Sequence, residues 1–84
     1  MTSKEARNTS MQEILTRHAD EVENFKIGYE EPSGGWSMYN SMLFADLYLY
    51  FCETGEMPYG VQKARTGDPD TWIANKLDQA LTNS

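Results

Sequence analysis

Between residues 10 and 26 the positions Met11, Ile14, Leu15, His18, Ala19, Val22 and Phe25 return every three or four residues. That spacing draws one largely apolar stripe down a helix. Ser10 followed by Glu13 is a capping box, in which each side chain satisfies a backbone N–H left open at the helix start. Gly28, just beyond Lys26, is a natural stop. Thr2 and Glu5 form a second capping pair, but Asn8-Thr9-Ser10 makes a poor helix interior because short polar side chains compete for the backbone. Residues 1–9 are therefore expected as a flexible or loosely packed arm, and residues 10–84 as a single helical domain.

The run Tyr29-Glu30-Glu31-Pro32-Ser33-Gly34-Gly35-Trp36 reads as a loop. The next segment, Ser37 to Thr54, is too long for an ordinary strand of about five to six residues. Although Tyr48-Leu49-Tyr50-Phe51 is rich in β-formers, a helix over 37–54 ending at Gly55 is the better reading. Pro58 opens a short helical turn near 58–65, closed by Gly67. Asp68-Pro69-Asp70-Thr71 then provides an N-cap, a proline at the first helical position and an acid to complement the helix dipole. A last helix follows over 69–81, with Ile73, Leu77, Ala80 and Leu81 on one face and Trp72 on its shoulder. The expected fold class is all-α: a small bundle of three main helices, about 10–26, 37–54 and 69–81, plus the turn near 58–65.

The middle helix has more apolar surface than one core needs. At 100° per residue, Leu43, Phe44, Leu47 and Phe51 make an ordinary core face. On the other side Met38, Met42, Ala45, Leu49 and Cys52 follow the alternating four-three spacing of a helix–helix seam, with Asp46 the one charge beside it. Either the rest of the chain covers this second stripe, or it is an interface. In the second case a homodimer is the simplest arrangement, and it would add core to a chain of 84 residues, a size that gains much from a partner.

Charge narrows the ligand. Thirteen Asp and Glu stand against seven Lys and Arg, a formal net charge of -6, so no basic footprint for bare DNA or RNA can be assembled. The acids concentrate at Asp20, Glu21, Glu23, Glu30 and Glu31, with only Lys26 among them. This is either a solvated face or a patch that docks a basic surface of another protein, such as its nucleic-acid channel. Tyr29, Trp36, Tyr39 and Tyr59 fall in or beside loops, where amphipathic rings serve as interface anchors or fold back as core plugs.

Catalytic and metal chemistry find little purchase. His18 is the single histidine, and it sits on the apolar stripe, where a satisfied, partly buried ring is expected rather than a base. Cys52 is the single cysteine, so the chain can form no internal disulfide. In so apolar a setting its thiol pKa should be raised and the group unreactive. No set of converging ligands suggests a metal site. Asp68 and Asp70 lack the glycine and the later glutamate of a calcium loop, Gly34-Gly35 lacks the spacing of a phosphate loop, and Lys63 with Arg65 is too small for a nucleic-acid footprint. No cofactor is expected. The N-terminal stretch lacks the apolar core of a signal peptide and no segment is long enough for a membrane span, so a cytoplasmic location is expected.

These patterns lead to an expected function: a small acidic non-enzymatic protein that binds another protein. One form is an inhibitor of the phage or plasmid type, a DNA mimic of anti-CRISPR or anti-restriction character, whose carboxylates occupy the nucleic-acid-binding groove of a host protein. The alternative is a homodimeric structural or regulatory module acting through the second face of the middle helix.

Overall fold

A computed structural model describes residues 1–27, 41–63 and 68–82. Within them lie six helices and no strand: α1 (Ser3–Arg7), α2 (Met11–Arg17), α3 (Ala19–Ile27), α4 (Met42–Thr54), α5 (Tyr59–Gln62) and α6 (Asp68–Thr82). The all-α bundle is thus the architecture, with α4 at its centre in contact with α1, α2 and α6.

Within residues 1–27 two elements differ from the sequence expectation. The first nine residues hold a helix, because Thr2 and Glu5 complete their capping box: the Thr2 amide donates to Glu5 Oε1 at 2.8 Å and the Glu5 amide to Thr2 Oγ1 at 3.1 Å. Asn8 and Thr9 do interrupt the helix, but they also satisfy its end, donating from Asn8 Nδ2 to the Lys4 carbonyl and from Thr9 Oγ1 to the Glu5 carbonyl. α1 packs on α4 with Ala6 fully buried, and Arg7 Nη1 reaches Glu53 Oε1 at 3.1 Å. The second difference is that the helix expected over 10–26 is two helices, interrupted at His18.

α4 ends at Gly55 as expected but begins at Met42, with Ser41 as its N-cap and not an interior residue of a helix from Ser37; residues 37–40 lie outside the described residues. Ser41 Oγ accepts from the Phe44 amide at 2.9 Å. At the other end Gly55 adopts the left-handed conformation at φ 76°, and the amides of Gly55, Glu56 and Met57 turn back onto the carbonyls of Cys52 and Phe51. That reversal drives Met57 into the core, where it is 1 % exposed.

A side chain at residue 55 would meet nothing within 4 Å, so its cost is purely that of the backbone. Gly55→Ala is expected to lose about 1 kcal/mol, which thermal unfolding reads as a fall of roughly 4–8 °C in a domain of this size. Gly60→Ala, in α5 with equally open space, should leave the melting temperature unchanged or raise it slightly.

The core joins all the longer elements: Ile14 of α2, Val22 of α3, Leu43, Leu47 and Phe51 of α4, Met57, and Ile73 and Leu77 of α6. Each side chain of this kind contributes about 1.5–3 kcal/mol when fully buried. Phe51 lies at the middle, its ring edge-on to Trp72 at 5.0 Å and to Tyr50 at 5.2 Å. No helix among the described residues is long and apolar enough to cross a membrane.

Candidate functional site

The candidate surface is the outer face of α4. With Leu43, Leu47 and Phe51 turned into the core, the helix period forces Met42, Ala45, Leu49 and Cys52 onto the opposite side. Met42 is 61 % exposed, Ala45 is exposed, and Leu49 and Cys52 are half-buried. The four residues are all uncharged, and Met38, expected to extend the stripe, lies outside the described residues. On one flank of α4, Tyr48 OH donates to the Gln62 carbonyl at 2.8 Å and so ties down α5. On the other flank α1 is held by the Arg7–Glu53 pair. Burial pushes the Cys52 thiol pKa up, and the neighbouring Glu53 charge adds to the effect. Cys52 is therefore a half-buried, protonated apolar group at neutral pH.

The acidic cluster is less uniform than its sequence suggests. Asp20 is exposed. Glu23 is exposed and its Oε2 accepts from Lys26 Nζ at 3.2 Å, a pairing of little energetic weight at a surface. Glu21 is half-buried and occupied: its Oε1 accepts from the Leu43 amide at 2.6 Å, so it shares with Ser41 the task of satisfying the N-terminus of α4. Its spacing from Asp20 and Glu23 marks it as one more acid of a charged stretch, and only the approach of α3 to α4 gives it this second role. Glu30 and Glu31 lie outside the described residues.

Of the aromatic candidates, Tyr29, Trp36 and Tyr39 lie outside the described residues. Tyr59 is 71 % exposed at the start of α5, with Lys63 Nζ 5.3 Å from its ring centroid.

A cluster that sequence reasoning left unassembled lies beneath this surface. Asp46, on the border between the two faces of α4, is buried. Its Oδ2 lies 2.6 Å from His18 Nε2, and its Oδ1 accepts from the Met1 α-ammonium at 3.2 Å. The side chains of His18 and Asp46 are 15 % and 7 % exposed. Burial pushes the Asp46 carboxyl pKa up, but the hydrogen bonds from His18 and the ammonium, together with their charge, outweigh it and hold the pKa below the usual carboxylate value. The carboxylate requires a proton on the nitrogen facing it. The three groups join elements far apart in sequence: the first residue, the break between α2 and α3, and α4. The only sequence signal was that His18 shares a stripe with core residues while Asp46 borders an apolar face.

An open cleft of about 520 Å³ separates α2 and α3 from the end of α6, lined by Met11, Leu15, Ala19, Val22, Ala80 and Leu81, with Lys26 among its polar residues. No group of three or more potential metal ligands occurs among the described residues. No known protein family, curated protein or solved structure matches this chain.

Proposed function

We propose that the chain is a small non-catalytic protein-binding domain that docks through the outer face of α4. The observation that carries this reading is the uncharged stripe of Met42, Ala45, Leu49 and Cys52 on the central helix, in which Met42 and Ala45 are exposed, Leu49 is half-buried and Cys52 packs partly against the core. Apolar area of this kind gains free energy when removed from water, about 25 cal/mol for each Å². The small Ala45 at mid-stripe lets another helix approach closely. A second copy of the chain fits the surface, because two such faces meet without desolvating an ion. The function is then that of a homodimeric structural or regulatory module.

Mass in solution, measured from micromolar to several hundred micromolar, should rise toward that of two chains. Met42→Glu with Leu49→Glu should hold the mass at one chain, with the far-UV circular dichroism unchanged. A wild-type protein that stays at one chain throughout removes the second copy as partner.

The exposure of Asp20 and Glu23 on α3, with the net charge of -6, favours a second reading. In it the protein is an acidic inhibitor, of the phage or plasmid type, that mimics DNA in the groove of a nucleic-acid-binding host protein. Asp20→Lys, Glu23→Lys, Glu30→Lys and Glu31→Lys together should then abolish binding to that protein. Glu21 is kept in this variant because it caps α4. Salt separates the two readings: acidic docking weakens steeply between low and high ionic strength, and an apolar seam does not.

A further inference from the structure

The helix break at His18 has no cause in the local sequence. Kinks and interruptions normally trace to proline, to glycine and serine pairs, or to a group inserted into the hydrogen-bond ladder, yet no proline or glycine occurs between Ser10 and Lys26. The apolar stripe also runs through the break without a change of period. His18 is the residue that leaves the helix, at φ -116° and ψ 42°. Its amide still donates to the Ile14 carbonyl at 3.1 Å, which closes α2, while its carbonyl accepts from the amides of Glu21 and Val22, both at 3.0 Å, which opens α3.

What distinguishes this residue is tertiary. Its imidazole reaches the buried Asp46 carboxylate on α4 at 2.6 Å, and three residues later Glu21 reaches the Leu43 amide on the same helix. α3 is therefore held at two points on α4, the first of them at the break itself.

The geometry points to the His18–Asp46 bond as a conformational pin: it holds residues 11–27 as two helices, and without it the segment joins into one continuous helix. Charge-assisted hydrogen bonds are stronger than neutral ones, and the carboxylate here is buried, where such a bond weakens least by competition with water. Opposing it is the recovery of helical hydrogen bonds across the break. The pin has a consequence for the cleft beside α6, because Leu15 and Thr16 line it from one side of the break and Ala19 and Val22 from the other. The angle fixed at His18 sets the shape of that cleft, and releasing the pin reshapes it.

Nuclear magnetic resonance of the full chain tests this. In the wild type, the backbone shifts at Arg17, His18 and Ala19 should depart from helical values, and the contact from the Leu15 α-proton to the Ala19 amide should be missing. His18→Leu should move all three shifts to helical values and restore that contact. His18→Gln, which keeps an N–H donor for Asp46, should retain the wild-type pattern. Should His18→Leu lose the dispersion of a folded protein, Asp46→Asn in the wild-type background decides, with a partial shift toward helical values expected. A break that persists in every folded variant lacking the His18 donor or the Asp46 charge overturns the pin.

Discussion

Phe51→Ala is expected to destabilise the domain by about 3–5 kcal/mol, the range for removing a buried aromatic ring from a well-packed core. Phe51 is 1 % exposed, and its ring is the edge-on neighbour of both Trp72 and Tyr50. Aromatic pairs of this geometry add about 0.5–1.5 kcal/mol to the area term. Its backbone carbonyl also receives the amides of Glu56 and Met57, so α4, the turn after it and α6 all converge on one residue. A domain of this size typically has only about 0.05–0.15 kcal/mol of stability per residue, so the loss consumes much or all of it. Denaturant unfolding followed by tryptophan fluorescence should show a greatly reduced midpoint or no folded baseline. Phe51→Leu, which keeps most of the apolar volume, should recover over half of the loss. A midpoint unchanged in Phe51→Ala would mean that α6 does not pack on α4 as described.

The second large effect is at Asp46. Replacing it with Ala leaves a buried imidazole and a buried ammonium without their shared acceptor. Removing one member of a buried ion pair costs about 3–5 kcal/mol, and the lower end applies because the chain terminus can swing its ammonium into water. The pH dependence follows from linkage. The folded pKa of Asp46 lies below its ordinary value, so the unfolded chain takes up the proton first as pH falls. The stabilisation is therefore complete above the ordinary carboxylate range and is lost as pH falls through the folded value. Asp70 works the other way: burial pushes its carboxyl pKa up, which weakens the fold as pH rises. Comparison of wild type with Asp46→Asn isolates the first group. The variant should lose stability at neutral pH and show a shallower further loss between about pH 5 and 2. Equal acid limbs in the two proteins would show that the Asp46 cluster contributes nothing to stability.

Much of the fold could be read from the chain because its signals are local. Ser10 with Glu13, and Gly55, act within one turn of themselves. Ser41, an interior residue of the helix expected over 37–54, is instead the N-cap of α4. The helix period selects the buried face of α4 without reference to any partner. The stripe through Met42, Ala45, Leu49 and Cys52 was legible for the same reason. Whether other elements would cover it was not, since that depends on where α1 and α5 settle.

The sequence by itself therefore determined the helical class, the helix start at Ser10 and the helix end at Gly55, and which side of the central helix is apolar and core-facing. Tertiary structure alone decided three things. It packed the locally capped N-terminal helix onto α4, gave Glu21 a capping role instead of a place in a free acidic patch, and broke the first long helix at His18. Each of the three rests on a contact between residues more than twenty positions apart. Such contacts depend on the relative placement of helices, and no periodicity or spacing within a single helix encodes that placement.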